Sequence, residues 1–436
     1  MPTGFAPVPS AGRYRIANAT LPAVLVDAQL PAAGDGLIRA DIEIDGATIA
    51  AIRAPGETAE TGLPVLDMDG GMAWPGFVDM HTHIDKGHIW PRMPNPDGTF
   101  MGALESVGKD REANWSAGDV TRRMDFALRC AHAHGTVLLR THLDSLDPQH
   151  RISWPVFAEM RDRWAGRIDL QAVSLFPIDA ALDTAYLAEI AALVKKHGGI
   201  LGCVTFMHPD LDTLLDTIIR TATDYGLDLD FHTDETQEPA ERSLRHIADA
   251  ALRNGFSGDI VCGHCCSLSR QPDDEARETI ARVAEAGIAI VSLPLCNMYL
   301  QDRHAGRTPR SRGVTMLHEL RAAGVEIAVA SDNTRDPFYA YGDLDMMEVF
   351  RETVRIGQLD HPFGDWPQIA ASAPGRIIGR ADRGVLRAGA PADIVLFRGR
   401  DWTELLARPQ SDRTVLRNGR PIGVTVPDYR ELDDLF

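Results

Sequence analysis

The chain has 436 residues, of which 44% are hydrophobic and 24% are charged, close to the averages of globular proteins. Its 44 Lys and Arg residues against 62 Asp and Glu residues give a net charge of −18, which disfavours nucleic acid and anionic membranes as partners. There is no apolar run of about 18 residues. The N-terminal MPTGFAPVPSAGRYR also lacks the apolar core of a signal peptide. We therefore expect a cytoplasmic protein with reduced cysteines.

Both ends of the chain consist of short β-type runs. Residues 12–65 consist of short β-type runs that are broken by Gly, Pro and Asp. The segments APADIVLFRGR and RTVLRNGRPIG near the C-terminus have the same pattern. The two ends therefore predict one small β-sandwich domain, formed by residues 1–68 together with residues 386–436. It flanks a central domain of residues 69–385.

The central segment alternates apolar strands with helical stretches whose apolar residues recur every three or four positions. Eight repeats of this pattern predict a parallel (β/α)8 TIM barrel, with a doubly wound open sheet as the alternative. No G-x-G-x-x-G follows the first strand, so the alternative has no motif to support it. The predicted strands are Trp74–His83, Thr136–Asp144, Asp169–Pro177, Leu201–Met207, Leu229–His232, Asp259–His264, Ile288–Pro294 and Glu326–Ser331.

Polar residues gather where these predicted strands end, which is where barrels place their chemistry. His81 and His83 share one face of the first strand, because side chains on a strand repeat every two residues. His232 at the end of the fifth strand and Asp332 after the eighth complete a set of three nitrogens and one oxygen. Such a set suits Zn²⁺ or Fe²⁺.

The cysteines offer a rival metal site, since residues 262–265 contain a C-x-x-C. A structural zinc site usually needs a second pair with similar spacing, whereas Cys130, Cys203 and Cys296 stand singly. We therefore favour the histidine set.

Several segments resemble the amidohydrolase superfamily, and within it the cytosine deaminases and N-isopropylammelide amidohydrolase. They are PGFVDMHTHIDK, RTHLD, HTDET, LQDRHAGRTPRSRGVTMLHELRAAG, ASDNTRDPFYAYGDLDM and LRAGAPADIVLF. The H-x-H after P-G-F-V-D-M is typical of the superfamily. The L-Q-x-R and S-D-N-x-R-D segments are typical of the subgroup.

The resemblance implies metal ligands and catalytic groups. The implied ligands are His81, His83, His232 and Asp332. Glu235 is implied as the acid/base, and His264 as the group that orients the hydroxide. Dinuclear members bridge two metals with a carboxylated lysine on strand four, and residues 202–208 contain none, which predicts one divalent ion, Zn or Fe.

The chemistry that follows is hydrolytic deamination of a small amino-substituted N-heterocycle. A metal-bound hydroxide attacks the amidine carbon, and ammonia leaves. Asp332 can accept the proton of the water, and Glu235 can protonate the ring nitrogen and then the departing ammonia.

Four further residues are predicted to contact the substrate. His142 ends the second strand, and Trp90 lies in the long first loop, where Phe100 also lies. Asn333 matches the S-D-N of the N-isopropylammelide enzyme, whereas cytosine deaminases have Asp there. The F-P-Q-E of cytosine deaminases reads F-P-I-D here, so Ile178 stands where their Gln binds the pyrimidine amide edge.

Ile178 puts the substrate in doubt, although not the type of reaction. A cytosine-like pyrimidine is the default, and pterin, aminotriazine and creatinine-like rings remain open. The alternative activity is cleavage of a cyclic amide or an N-alkylamine on a triazine- or pterin-like ring. A non-catalytic metal-binding scaffold is a third hypothesis, which the presence of Glu235, His264 and Asp332 disfavours. The sequence leaves a homo-oligomer open.

Overall fold

The computed structural model describes residues 7–10, 12–57 and 62–436. Residues 1–6 and 11, which belong to the segment tested for a signal peptide, lie outside the described residues. Within the described part of the chain, every helix is too short or too polar to cross a membrane.

The strands comprise a set at each end of the chain and a parallel set between them. In chain order they are β1 (Arg13–Pro22), β2 (Leu37–Asp45), β3 (Thr48–Arg53), β4 (Val65–Asp67), β5 (Ala73–Pro75), β6 (Phe77–Thr82), β7 (Thr136–Asp144), β8 (Asp169–Leu175), β9 (Leu201–Thr205), β10 (Leu229–Thr233), β11 (Ile260–His264), β12 (Ala289–Ser292), β13 (Ile327–Val329), β14 (Ile394–Leu396), β15 (Thr414–Arg417) and β16 (Arg420–Pro421).

Strands β6 to β13 form the (β/α)8 barrel. They pair in the orders β6-β7-β8 and β13-β12-β11-β10-β9. Parallel bridges from Val173 to Ile200 and from Pro177 to Val204 join β8 to the β9 segment, and a bridge from Thr82 to Asp332 joins the first strand to the eighth. The ring of neighbours is therefore closed, as the sequence predicts, and the open doubly wound sheet is excluded.

The first predicted strand, residues 74–83, is two strands in the structure. Trp74 pairs antiparallel with Val395 in β14, whereas β6 begins at Phe77 and runs with the barrel. Gly76 separates the two, and Pro75, the last residue of β5, has no amide hydrogen with which to continue the ladder. The apolar run continues across the break, so the sequence pattern does not reveal it.

Helices follow the barrel strands and carry the periodic apolar stripes. They are α1 (Phe100–Asn114), α2 (Ala117–His134), α3 (His150–Trp164), α4 (Thr184–His197), α5 (Leu211–Tyr225), α6 (Ser243–Asn254), α7 (Asp273–Glu285), α8 (Pro294–Leu300), α9 (Leu317–Ala322), α10 (Met346–Gly357), α11 (Ser372–Ile377) and α12 (Trp402–Ala407). Short 3-10 helices lie at Ala23–Leu25, Ile178–Leu182, Ser267–Arg270, Trp366–Ala370 and Tyr429–Leu435.

Helix α5 shows how the sequence specifies these elements. Its buried residues Leu211, Leu214, Leu215 and Ile218 recur at the helical spacing and form one apolar face. The helix ends at Gly226, whose φ of 60° is the left-handed conformation that glycine adopts without steric cost.

The remaining strands form the β-sandwich predicted from the two chain ends. One sheet has the order β3-β2-β1-β4 and the other β16-β15-β14-β5. Their inner faces share a buried apolar cluster that includes Ile16, Ile42, Ile394 and Leu416. Inward-facing apolar residues alternate with outward-facing residues along these strands, which explains the two-residue period of apolar residues in the sequence.

The chain divides into two compact units. One comprises residues 1–78, 130–138 and 345–426, and the other comprises residues 79–129, 139–344 and 427–436. All the candidate site residues belong to the second unit. The domain boundaries expected at residues 68 and 385 stay a prediction.

Candidate metal and active site

Three imidazoles and one carboxylate converge at the carboxyl end of the barrel strands. Nε2 of His232 lies 3.2 Å from Nε2 of His81 and 3.1 Å from Nε2 of His83. Oδ1 of Asp332 lies 3.2 Å from Nε2 of His83 and 3.8 Å from Nε2 of His81. The structure thus brings together the four side chains that the sequence predicts as metal ligands.

The local backbone explains this convergence. His81 lies on β6 with its side chain on the face that His83, two residues later, also uses. The amide of Asp332 donates to the carbonyl of His81, 2.9 Å away, and Asp332 adopts a φ of 64°. The hydroxyl of Thr205 donates to the carbonyl of His232 at 3.0 Å. Hydrogen bonds between the first and eighth strands and between the fourth and fifth strands therefore hold these ligand candidates in position.

These groups fit a metal ion. An ion 2.0–2.1 Å from each imidazole sets neighbouring nitrogens roughly 2.9–3.4 Å apart, which is the spacing found. Within the described residues, neither oxygen of the fully buried Asp332 has a hydrogen-bond partner, and a bound cation would compensate the charge of this carboxylate. Burial, reinforced by neighbouring charges, lowers the pKa of His81, His83 and His232 far below the usual range, and neutral imidazole is the form that binds metal.

Glu235 and His264 stand next to this cluster as a pair. Oε1 of Glu235 lies 3.5 Å from Nδ1 of His264, and Nε2 of His264 has no protein partner among the described residues. Burial, and then the carboxylate of Asp332, raise the pKa of Glu235 well above its usual range, against the opposing charge of Lys86. Burial lowers the pKa of His264 to about 3. The pair therefore presents a carboxyl that tends to hold a proton and a neutral imidazole.

The site also contains a buried cation, Lys86. The ammonium of Lys86 binds Oδ1 of Asp144 at 3.0 Å, and Arg111 binds the other oxygen of Asp144 at 2.9 Å. Burial opposes the charge of Lys86, but the carboxylates of Asp144 and Asp85 outweigh it and raise the Lys86 pKa. Lys86 is thus a fixed positive charge whose field reaches His83 and Glu235.

His142 is held at the back of the cluster. Its Nε2 lies 3.3 Å from Asp230, and Arg140 donates to the other oxygen of Asp230 at 2.8 Å. The His142 ring lies against His81, with centroids 3.9 Å apart. A ring nitrogen of His142 also lies within 4.8 Å of those of His81, His83 and His232, so His142 borders the candidate metal site itself.

The other predicted substrate contacts are spread around the barrel mouth. Asn333 is buried and donates to Asp336 at 2.7 Å. Ile178 begins the 3-10 helix after β8 and is fully buried. The amide of Trp90 donates to the carbonyl of Arg335, and Phe100 packs against Phe338 with ring centroids 5.5 Å apart. Their contact with substrate stays a prediction.

Three site residues escaped the sequence analysis. Asn297 contacts both His264 and Glu235, Cys296 lies 3.6 Å from Oδ1 of Asn333, and Lys86 bears the buried charge described above. Lys86 lies three residues after His83 of the H-x-H motif, and a lysine at this place in a chain with only four lysines was a usable signal. Asn297 and Cys296 lie on the short helix α8, where neither spacing nor residue type marked them.

Comparison with known proteins agrees with this geometry. Residues 158–422 match the model of the Amidohydrolase family. The chain is 57% identical over 436 residues, covering all of both chains, to the pterin deaminase of Rhizobium rhizogenes (strain K84). It is 25% identical over 403 residues to N-isopropylammelide isopropyl amidohydrolase of Pseudomonas sp. strain ADP, covering 89% of this chain and 92% of the other.

A solved structure supports the fold. The 5-methylcytosine deaminase from Klebsiella pneumoniae liganded with 5-fluorocytosine superposes with a TM-score of 0.79 at 21% identity, covering 95% of this chain and 98% of the other. The barrel with its attached sandwich is thus that of known enzymes. The expected resemblance is confirmed, and the chain belongs to the amidohydrolase family.

Proposed function

We propose that this metal-dependent hydrolase of C–N bonds deaminates the 2-amino group of a pterin-type ring. The observation that carries the proposal is the pairing of Glu235 with His264 beside a complete His/Asp cluster, in a chain 57% identical throughout to a pterin deaminase. Pterin replaces the cytosine-like pyrimidine that the sequence took as its default.

His81, His83, His232 and Asp332 would hold one divalent ion, Zn²⁺ or Fe²⁺. When bound, such an ion lowers the pKa of a water ligand to about 7 and so supplies a nucleophile at neutral pH. Strand β9, which spans Leu201–Thr205, has no lysine that could bridge a second ion. The donor set supports a single ion.

The side chains of this chain then handle the protons. The water oxygen bonds to the ring carbon that bears the amino group, while Asp332 accepts the proton that the water loses. Nε2 of His264 hydrogen-bonds the attacking oxygen and fixes its direction. Glu235 protonates the ring nitrogen beside that carbon, then takes the second proton of the attacking oxygen and passes it to the leaving amine. The proton held by Asp332 returns to Glu235 at the end of the cycle. The C–N bond breaks, ammonia departs, and the ring keeps a carbonyl oxygen.

Ile178 is consistent with a substrate other than cytosine. An amide edge facing this apolar side chain would lose a hydrogen bond, which costs about 1–3 kcal/mol when the group is buried. Other polar groups of the site are available to a larger ring, including the buried Lys86 and Asn333. We propose that these residues, with His142 and Trp90, surround the substrate.

The proposed setting is the cytoplasm. All six cysteines are free thiols and all are buried, which fits a reducing compartment. The substrate is a small heterocyclic molecule. Self-association into a homo-oligomer is compatible with the fold, and analytical ultracentrifugation of the purified protein would test it.

Ammonia release from purified, metal-assayed protein tests the proposal. The panel contains pterin, a 6-substituted pterin, cytosine, 5-methylcytosine, creatinine and an aminotriazine, with the Glu235→Gln variant as the control. We expect pterins to be the best substrates and the variant to be inactive on them. Preference for cytosine would overturn the substrate assignment. Release of an alkylamine from N-isopropylammelide without ammonia from any ring would favour the alternative hydrolysis.

A further inference from the structure

Asn297 is a buried amide that the reaction described above does not use. It lies on α8, the helix that follows the seventh barrel strand, and it is 1% exposed. Its Nδ2 is 3.0 Å from Nδ1 of His264 and 3.4 Å from Oε1 of Glu235. One side-chain nitrogen therefore contacts both groups proposed to handle protons.

The orientation of this amide follows from its partners. An NH₂ group has two hydrogens and can serve both acceptors at once, whereas Oδ1 is left without a partner among the described residues. The flipped amide would instead bury two unpaired N–H groups. Unpaired N–H groups are rarer in folded proteins than under-satisfied carbonyl oxygens. The orientation with Nδ2 toward His264 and Glu235 is thus the better satisfied one.

This orientation determines where the His264 proton resides. A neutral imidazole carries one ring proton, and a nitrogen that accepts a hydrogen bond cannot carry it. Because Nδ1 of His264 accepts from Asn297, the proton is on Nε2. That is the nitrogen without a protein partner, and it is the one needed to donate to an attacking oxygen.

We propose that Asn297 is a positioning residue that keeps the proton of His264 on Nε2 and restrains Oε1 of Glu235. With Oε1 held, Oε2 is the oxygen of Glu235 left to carry the transferred proton. The kinetic consequence rests on the proposed function, whereas the position of the proton is a property of the resting protein.

The backbone around Asn297 holds it in place. Gln301, one turn further along, donates to the backbone carbonyl of Glu235 at 3.2 Å. The amide of Asn297 donates to the carbonyl of Leu293 at 3.0 Å. Helix α8 is thus closed at its first turn by the Asn297–Leu293 bond and tied to Glu235 through Gln301, which restrains the side-chain amide of Asn297.

The proton position can be read directly by NMR. In zinc-loaded protein with ¹⁵N-labelled histidine, the ¹⁵N shifts of a ring distinguish the two tautomers, and the His264→Gln variant identifies the His264 signals by their loss. We expect Nε2 to carry the proton and Nδ1 to lack it. A proton on Nδ1 in the wild type would overturn the proposal, whatever substrate the enzyme proves to use.

Two variants test the consequence for turnover. In Asn297→Asp the side chain keeps its shape, but a carboxylate only accepts hydrogen bonds. The carboxylate therefore draws the ring proton of His264 to Nδ1 and repels the carboxylate form of Glu235. We expect the Nδ1 proton to appear and kcat to fall about 100-fold, with KM changed less than about threefold. Asn297→Ala leaves either tautomer available, and we expect a loss of about 10-fold. Both variants should retain their zinc.

The relative loss of kcat in the two variants distinguishes a positioning role of Asn297 from a packing role. If Asn297 only fills space, the isosteric Asp is the milder change and Ala the more harmful, and that order would overturn the proposal. Asn254→Asp, at the exposed end of α6, adds the same charge far from the site and should leave kcat within about twofold. If no ring on the panel is deaminated, the NMR result still decides the tautomer.

Discussion

Gly263 leaves the space that the imidazole of His81 occupies. A β-carbon at Gly263 would lie 2.9 Å from Cε1 of His81, which is closer than β-carbon contacts come in proteins, and 3.2 Å from Nδ1, which is tighter than most of them. The two residues lie on strands six and one of the barrel, and the ring of His81 cannot retreat because it is fully buried. A glycine between Cys262 and His264 thus sets the position of the imidazole that we propose as a metal ligand, from across the barrel.

Gly263→Ala should therefore weaken metal binding. The methyl group displaces the His81 ring by a few tenths of an ångström, which we expect to lower metal affinity at least about 10-fold, the usual effect of disturbing the surroundings of a ligand. Titration of the metal-free protein with Zn²⁺ measures this. Gly108→Ala, on α1 with nothing near its β-carbon, is the matched control and should stabilise the protein by about 0.5–1 kcal/mol. Equal zinc affinity in both variants would contradict the steric argument.

Glu235→Gln should separate catalysis from metal binding. The amide keeps the shape of the carboxyl but cannot transfer a proton, so turnover should fall at least about 100-fold while the metal stays. Glu278→Gln, on a side chain that is 73% exposed, controls for the loss of one charge and should retain full turnover. Loss of metal in Glu235→Gln would show that this residue is a ligand or a structural group instead.

Metal content distinguishes the ligands from the other histidines. His81→Ala and Asp332→Ala should each lower both bound metal and rate, because each removes one of the converging donors. Elemental analysis by mass spectrometry measures the metal-to-protein ratio. The control is His361→Ala, whose imidazole is 93% exposed, and it should keep full occupancy. Full occupancy in either ligand variant would refute the assignment.

Much of this site could be predicted from the sequence because barrel strands impose a simple geometry. His81 and His83 lie two residues apart on the first strand and therefore share one face. His232, His264 and Asp332 occur where apolar runs end, so the barrel topology alone brings these side chains to one rim. The sandwich was also predictable, since its strands alternate with a period of two. The family resemblance added the roles that we propose for Glu235 and His264, which spacing alone does not provide.

The parts that could not be predicted depend on contacts between distant segments. Asn297 acts on His264 and Glu235, which lie 33 and 62 positions earlier, and α8 is too short to show a periodic pattern. Likewise, Gly263 matters only because His81 faces it across the barrel. Such relationships are set by the packing of strands, and no local feature of the sequence indicates them.

Arg92 should be a major determinant of stability in the first loop. Its guanidinium binds both oxygens of Asp110 at 2.8 and 2.9 Å and both oxygens of Asp119 at 2.6 and 3.1 Å. All three side chains are at most 9% exposed. Arg92→Met removes the guanidinium from Asp110 and leaves Asp119 with Arg123 alone, and we expect a loss of about 3–5 kcal/mol in the free energy of unfolding. Urea denaturation at pH 7 measures it.

The same cluster predicts how stability depends on acid. Burial raises the pKa of Asp119, but the hydrogen bond from Arg92 and the charge of Arg123 outweigh it, so the pKa lies below its usual value. A carboxyl with a lowered pKa in the folded state stabilises the protein above its unfolded pKa of about 4, and this contribution is lost as the pH falls below that value. Arg92→Met should therefore show a shallower loss of stability between pH 5 and 3 than the wild type.

The control for both Arg92 predictions is a surface ion pair. Lys109→Met removes an ion pair whose lysine is 63% exposed, and it should change the free energy of unfolding by at most about 1 kcal/mol. A similarly small change for Arg92→Met would show that water, rather than the guanidinium, satisfies these carboxylates.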